Sequence, residues 1–182
     1  MPDDFLTARL RLSRPTPADI DAVHAINADP RVWTHFPSLR HTDIATTVAM
    51  MERWERSWKE AGLGSSVVRL RSTGEVIGNG GCSLLHDAVW NVGYRIAADH
   101  HGHGYATEIA GAAVEHAREI DPDRPIIAFL VEHNRASGRV AEKLGLRLVH
   151  RGPDAGNPDP SVTRLVYADR EMTPEQLAAT LR

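Results

Sequence analysis

Several chemical features are missing from this sequence of 182 residues. With a single cysteine, Cys82, the chain cannot form an internal disulfide. Neither a Cys-x-x-Cys pair nor a His-x-x-x-His spacing occurs, so we predict no metal site of the common zinc type. Residues 1–12 carry Asp3 and Asp4 and no long apolar run, which is typical of neither a secretory signal nor a membrane-spanning helix. We therefore expect a soluble, cytoplasmic protein that does not bind a membrane.

An excess of charge of either sign is also missing. The 21 Lys and Arg residues are set against 24 Asp and Glu residues, which gives a net charge of -3 at pH 7. Without a broad cationic surface, the bulk charge gives no support for binding nucleic acid, although a local basic patch stays open. Its length is sufficient to bury one hydrophobic core, and we expect a single domain over residues 1–182.

The spacing of the apolar residues predicts an α/β chain of class α+β, in the order β-α-α-β-β-β-α-β-α-β-β. The predicted strands are residues 8–14, 65–70, 75–84, 89–96, 125–131, 145–150 and 162–167. The predicted helices begin near Pro17, at Thr42, at Tyr105 and at Asn134, and a short terminal helix covers 173–181. Gly80 and Gly81 inside the third strand predict a bulge or a close backbone approach.

The helix predicted over residues 42–61 is amphipathic. Its apolar residues recur every three to four positions and end in Trp54 and Trp58, so one face packs and the other meets water. The two tryptophans make this helix a candidate contributor to a homodimer face.

The most informative segment runs from His101 to Glu108 and contains Gly102 and Gly104 directly before an alanine-rich helix. Glycine lets backbone N–H groups approach a ligand closely, and the first turn of a helix adds unsatisfied donors and the positive end of its dipole. Such an array binds anions, so the segment predicts a phosphate-binding loop. The alternative is a plain strand-to-helix turn.

A second informative segment runs from Asn134 to Leu146, after the apolar strand predicted at 125–131. Asn134 is a good N-cap, Ser137 follows three residues later, and Gly145 is a good helix stop. Together, the two segments resemble the phosphate loop and the Asn-x-x-Ser helix of the GNAT acetyltransferase superfamily. Val92-Gly93-Tyr94-Arg95-Ile96 before the loop is most similar to the RimJ and RimL type of ribosomal-protein N-terminal acetyltransferase. The resemblance spans about residues 7–169.

The resemblance implies a GNAT fold, with a mixed, mostly antiparallel twisted sheet of about seven strands flanked by helices. It also implies direct transfer of an acetyl group from acetyl-CoA to an amine, either a protein N-terminal α-amine or a small-molecule amine. The residues that we expect to bind acetyl-CoA are Val92, Gly93, Tyr94, Arg95, Ile96, His101, Gly102, His103, Gly104, Tyr105, Ala106, Thr107, Asn134 and Ser137. No metal is expected, because the neighbouring histidines at 100, 101 and 103 lack a completing carboxylate or thiol.

The catalytic residues predicted from this resemblance are Ser137 and Tyr94. Ser137 is expected to protonate the leaving thiolate, since the tyrosine that many relatives carry four positions later is Ala141 here. A backbone N–H between Val92 and Tyr94 is expected to stabilise the tetrahedral oxyanion. The alternatives without a catalytic role are that Ser137 is only a serine in the first turn of the helix and that Tyr94 lies in an ordinary half-buried strand.

The general base and the acceptor pocket carry no motif. The position where many relatives place a glutamate is Asn91, which cannot accept the proton. The candidates for a base are His35, His86, Asp87, Glu132 and His133, and the candidates for acceptor-pocket walls are Trp33, His35, Phe36 and Trp90. Cys82 lies in an apolar strand without a paired base, which favours a buried thiol over an acetyl-accepting nucleophile.

Two other functions remain open on the sequence. Gly102-His103-Gly104 begins the Gly-x-Gly-x-x-Gly pattern of dinucleotide-binding oxidoreductases, but the third glycine position is Thr107. The second alternative is a module that binds acyl-CoA without turnover. It stays open because Asn91 and Ala141 stand at positions where relatives carry catalytic groups.

Overall fold

The computed structural model describes residues 4–155 and 157–181. Eight strands form one sheet: β1 (Asp4–Leu6), β2 (Leu10–Ser13), β3 (Ser65–Leu70), β4 (Val76–Leu85), β5 (Val89–Ile96), β6 (Ile126–Val131), β7 (Arg147–Pro153) and β8 (Thr163–Ala168). Five α-helices accompany them: α1 (Ile20–Ala28), α2 (Ile44–Ala61), α3 (Tyr105–Ile120), α4 (Arg135–Lys143) and α5 (Pro174–Thr180). In the described residues, no helix combines the length and the apolar character that crossing a membrane requires.

The sheet has the strand order β1-β2-β3-β4-β5-β6-β8-β7. Every neighbouring pair is antiparallel except β5 and β6, which run parallel. The predicted fold class, a mixed and mostly antiparallel sheet flanked by helices, is confirmed. The strand count differs from the predicted seven, because β1 has only three residues and is too short to show an apolar period.

The parallel pair β5 and β6 separates almost as soon as it forms. Only Trp90 with Ile126 and Asn91 with Ile127 are in register, although β5 continues to Ile96 and β6 to Val131. Beyond Asn91 the edge of β5 that faces β6 therefore has no strand partner. The gap between these two strands lies in the middle of the sheet.

Helices cover both faces of the sheet. On β4, Gly80 lies against the side chain of Ile109 in α3. The preceding residue, Asn79, accepts a hydrogen bond from Asn27 of α1 at 3.2 Å. Because successive strand residues point to opposite faces, α3 and α1 lie on opposite sides of the sheet. Arg95 pairs with Asn79 in the ladder and thus shares the α1 face, while Tyr94 pairs with Gly80 and shares the α3 face.

The tryptophans of α2 do not form a surface for a second copy of the chain. Trp54 is 8% exposed and Trp58 is 7% exposed, and both belong to the protein's own core. The indole N–H of Trp58 also donates to the carbonyl of Ser65 at 3.0 Å. These two side chains are therefore not available to a second copy of the chain, since the amphipathic stripe packs on the sheet, and a homodimer through another part of α2 stays a prediction.

The glycine pair in β4 marks a close approach rather than a bulge. The pairing of β4 with β5 is regular through Gly80 and Gly81. The register shift in the pairing of β3 with β4 lies elsewhere, between Val68 and Arg69. A Cβ on Gly80 would lie 2.7 Å from Cγ2 of Ile109 and 2.9 Å from the carbonyl oxygen of Gly93. Helix α3 can thus sit against β4 only because residue 80 has no side chain.

We predict that Gly80→Ala lowers the free energy of unfolding by about 1 to 3 kcal/mol, the usual range for overpacking a core. Gly111→Ala, in α3, is the matched control, because a Cβ there meets only Leu144 Cδ2 at 3.9 Å. This control should stabilise the helix by roughly 0.5 to 1 kcal/mol. Urea unfolding measures both variants, and equal midpoints for the two would contradict the close approach at residue 80.

Candidate active site

The groove at the end of β5 is lined by the glycine loop, the start of α3 and one face of α4. Its volume is about 720 Å³. The cationic side chains along it are Arg31, Arg95, Arg135, Arg139 and Lys143. Four histidines also line the groove, and no carboxylate of the described residues does. Such a lining suits a ligand with several negative charges.

The glycine loop has the geometry of an anion cradle. Gly102 has φ +81° and Gly104 has φ +79°, a left-handed conformation that side chains strongly disfavour. Gly104 is the N-cap of α3 and supplies no side-chain cap, so the first-turn N–H groups stay without an intrachain acceptor. In the described chain, the N–H groups of residues 102–104 also donate to no protein acceptor. The loop therefore presents a row of free backbone donors at the positive end of a helix dipole.

An ion pair braces this loop from behind. Glu108, in the first turn of α3, accepts hydrogen bonds from the Arg9 backbone N–H at 2.9 Å and from Arg9 Nε at 2.7 Å. The Thr7 hydroxyl donates to the same carboxylate, and Arg9 Nη1 donates to the His103 carbonyl at 2.9 Å. The Arg9 guanidinium also lies 4.4 Å from the centre of the Tyr105 ring. The β1–β2 turn thus holds the cradle in place.

The predicted cap of α4 is present. The Asn134 side-chain oxygen accepts the N–H of Ser137 at 3.2 Å, and Gly145 ends the segment with φ +79°. This places Ser137 at the start of α4, beside Tyr94 of β5. Burial raises the pKa of the Tyr94 hydroxyl, and its interaction with the Ser137 hydroxyl only partly offsets that increase. Tyr94 therefore stays protonated at neutral pH.

A second cavity, of about 240 Å³, lies between the separated strands β5 and β6. It meets the groove at the side chains that border both spaces, which include His35, Tyr94, Arg95, Asn134 and Ser137. The groove and the cavity, together called the path, therefore adjoin each other, and the start of α4 lies at their shared border.

The predicted cofactor-binding residues converge on this path. Val92 and Gly93 line the inner cavity, and Ile96, His101, Gly102, Gly104, Tyr105, Ala106 and Thr107 line the groove. His103 is the exception, since its ring stacks with Tyr105 at a centroid distance of 5.7 Å and lines neither space. Asp99, at the start of the loop, is bound by Arg31 at 2.8 Å and is largely exposed.

Three of the four predicted acceptor-pocket walls line the inner cavity, namely Trp33, His35 and Phe36. Trp90 is only 1% exposed and belongs to the hydrophobic core. Leu39 and Phe129, which carry no motif, also line the cavity and remain 47% and 39% exposed. Only their exposure in the folded structure identifies them as cavity walls, because no sequence motif marks either residue.

The candidates for a general base separate clearly. His86 and Asp87 form the tight turn between β4 and β5, with φ +49° and +54°, and line neither space. Glu132 pairs with Arg151 at 2.7 Å. His133 donates from Nε2 to the His35 carbonyl at 2.7 Å. His35 alone lines both spaces, but burial, followed by repulsion from Arg95, lowers its pKa to about 4, so it is neutral and weakly basic.

Cys82 is fully buried, and burial raises the pKa of its thiol well above the ordinary value. The thiol is therefore protonated at neutral pH and has no access to the groove. Across residues 4–155 and 157–181, no group of three His, Cys, Asp or Glu side chains is placed to hold a metal ion.

Comparison with known proteins agrees with this geometry. Residues 9–147 match the family described as acetyltransferase (GNAT) domain. The chain belongs to the GNAT acetyltransferase family. The family predicted from the glycine loop and the Asn134 segment is thereby confirmed.

Individual relatives of this GNAT chain are moderately to distantly similar. The uncharacterized protein YkkB of Bacillus subtilis strain 168 is 31% identical over 121 residues, which cover 65% of this chain and 69% of YkkB. An acetyltransferase structure from Agrobacterium tumefaciens C58 is 29% identical, with a TM-score of 0.74 over 94% of this chain and 95% of the other. RimL, the ribosomal L7/L12 α-N-protein acetyltransferase, was solved with coenzyme A. It is 15% identical and has a TM-score of 0.76 over 92% of this chain and 97% of RimL.

The brace behind the loop predicts a pH-dependent stability. Burial alone would raise the pKa of Glu108, but the hydrogen bonds from Thr7 and Arg9 outweigh it and lower the pKa below 4.5. The stabilisation is therefore fully present above pH 4.5 and is lost as the pH falls through the lowered value. We predict that Glu108→Gln costs on the order of 1 to 2 kcal/mol at pH 7.

Urea unfolding at pH 7 and at pH 3.5 measures this effect, and the gap between Glu108→Gln and the unsubstituted protein should narrow at the lower pH. Glu115→Gln is the control, because Glu115 is exposed on the same helix. A gap that is unchanged between the two pH values would contradict the assignment of the brace to the ionised carboxylate.

Proposed function

We propose that this chain transfers the acetyl group of acetyl-CoA directly to a primary amine in a ternary complex. The observation that carries the proposal is that the groove at the uncapped, glycine-rich start of α3 adjoins the cavity in the gap between β5 and β6. Acetyl-CoA is a long ligand with phosphates at one end and a thioester at the other. The loop amides suit the pyrophosphate, and the gap suits the thioester arm.

The cations on α4 support the same donor. Arg135, Arg139 and Lys143 lie four residues apart along one face of the helix and line the groove. In the described chain, none of the three forms an ion pair with a carboxylate. We assign them to the phosphates of the nucleotide end.

The unpaired edge of β5 supplies donors near the thioester. Trp90 donates its N–H towards β6, to the Pro125 carbonyl at 2.9 Å. Backbone groups alternate sides along a strand, so the N–H groups of Val92 and Tyr94 face the same side, where β6 has moved away. When the amine nitrogen attacks the thioester carbonyl, a C–N bond forms and the carbonyl oxygen becomes an oxyanion. A free N–H at Val92 or Tyr94 stabilises that charge.

Collapse of the intermediate breaks the C–S bond and requires a proton for the thiolate. Ser137 and Tyr94 lie together where the groove meets the gap, and both hydroxyls are protonated at neutral pH. We assign the donation to Ser137, with Tyr94 as the neighbouring hydroxyl. The amine loses a proton to water, since no strong base lines the cavity. An α-amine with a pKa of about 7.7 to 8.0 is partly neutral at pH 7 and needs little help.

Ligand binding tests the donor. We predict that acetyl-CoA at 100 times its Kd stabilises the protein by about 2.7 kcal/mol, or roughly 5 to 10 °C in Tm, and that NAD does not. Gly104→Ala should lose most of this shift, because alanine disfavours φ +79°. Gly145→Ala is the matched control: it has the same φ with nothing within 4 Å and lies outside the groove. Stabilisation by NAD alone would overturn the proposal in favour of an oxidoreductase.

Turnover tests the catalytic assignment. We predict that Ser137→Ala lowers kcat by about 100-fold, the lower end of the range for lost general acid catalysis, and changes the Kd for acetyl-CoA by less than about threefold. Release of the CoA thiol measures kcat, and calorimetry measures the Kd. Equal losses in both would assign Ser137 to binding only. If no amine in a broad panel releases the thiol, the chain is an acyl-CoA-binding module.

A further inference from the structure

Arg95 is a half-buried arginine on the α1 face of the sheet, and no described residue is its acidic partner. It borders both the groove and the inner cavity. Arg69 and Arg164, which are similarly enclosed, are paired with Asp19 and Asp154. In the described chain, no carboxylate contacts Arg95. An enclosed charge without a counterion is costly, which is a reason to expect that a ligand supplies one.

The guanidinium is held in a fixed position by its neighbours. It stacks on the indole of Trp33, with 3.8 Å between the guanidinium carbon and the ring centre. Trp33 is itself fixed, because it is 5% exposed and its N–H donates to the Asn27 carbonyl at 2.6 Å. Burial lowers the pKa of Arg95 to about 10, so the group remains a cation at neutral pH. The site is thus a preorganised positive charge.

The hydrogen bonds of Arg95 leave one edge open. Nη1 donates to the Nε2 atom of His35 at 3.2 Å, and this imidazole is neutral because its pKa is lowered to about 4. No group of the described protein accepts from Nε or Nη2. These two atoms carry the parallel N–H bonds of the guanidinium fork, whose spacing matches the two oxygens of a carboxylate.

The rest of the cavity contains no charge that could balance Arg95. Among the described residues, the one carboxylate in its lining is Asp154, which accepts from Arg164 Nε at 2.7 Å and from Asn157 at 3.3 Å. The remaining uncharged walls are apolar or aromatic, as at Trp33, Phe36 and Phe129, or polar, as at Asn91, Asn134 and Ser137. A polycationic amine would therefore meet an uncompensated arginine and no free acid. The cavity volume of about 240 Å³ lies below the usual range for drug-sized ligands.

We infer that the acceptor is a small, amino-acid-like amine that carries a carboxylate, which the Nε and Nη2 edge of Arg95 binds. This inference rests on the proposed function, because it names the substrate class of the same site. Arg95 is thereby a specificity-determining residue that fixes the acceptor while its amine reaches the thioester. The apolar walls would take the uncharged part of the acceptor.

The test compares free α-amino acids with their matched amino-acid amides, using thiol release from acetyl-CoA. The unsubstituted protein should show a kcat/KM at least about 10-fold higher for the carboxylate member of the best pair. Arg95→Gln should lower that kcat/KM by about 10- to 100-fold more than it lowers the kcat/KM of the amide member. Arg95→Lys, which keeps the charge without the planar fork, should retain part of the preference. The KM for acetyl-CoA should stay the same in both variants.

Several results would overturn the inference. One is equal or faster acetylation of the amides by the unsubstituted protein, a comparison that does not depend on whether any variant folds. Another is faster acetylation of peptides with an amidated C-terminus than of free amino acids. A loss of acetyl-CoA affinity in Arg95→Gln would assign Arg95 to the donor. If the protein acetylates no amine of any kind, the proposed function fails first, and this inference fails with it.

Discussion

The loss of pairing between β5 and β6 beyond Asn91 is the constraint on which the rest of the site depends. A continuous parallel ladder would close the middle of the sheet and consume the N–H groups of Val92 and Tyr94. The separation instead leaves a polar edge that is costly unless a ligand occupies it. It is tolerated because β4 pairs with β5 along its whole length and β8 pairs with β6 from Ile127 to Val131, so each strand is anchored on its far side.

Ligand binding at the two ends of the path depends on different groups of the protein. At the start of α3, binding depends on backbone geometry, since Gly102 and Gly104 adopt left-handed conformations and the helix has no cap of its own. The brace from Arg9 to Glu108 and the His103 carbonyl holds that geometry without filling the cradle. Between the strands, binding depends on side chains, because Trp33, Arg95 and the residues around them line the space. In the proposed function, the first end recognises the donor and the second selects the acceptor.

Much of this was predictable from local sequence signals. The glycine loop, the Asn134 cap and the stop at Gly145 each follow from residues that sit next to one another, and their conformations are the expected ones. The bounds of β3, β5 and α3 also agree with the predicted ranges, since each has strong periodicity and clear flanking residues. Tertiary contacts decide what local signals do not: Trp54 and Trp58 pack on the sheet, and the spacing of apolar residues alone does not say what the stripe packs against.

The proposed role of Arg95 shows why the acceptor class could not be predicted from local sequence signals. Its position in the segment from Val92 to Ile96 suggested a place beside the donor, and it does border the groove. Arg95 differs from the other enclosed arginines because no described carboxylate contacts it. That difference depends on tertiary contacts and not on the residues next to Arg95 in the sequence. Trp33 and His35 reach it from the irregular segment before α2, about 60 residues away in the chain. Because those contacts fix the guanidinium and leave one edge open, the strand that we propose to position the donor would also present a charge to the acceptor.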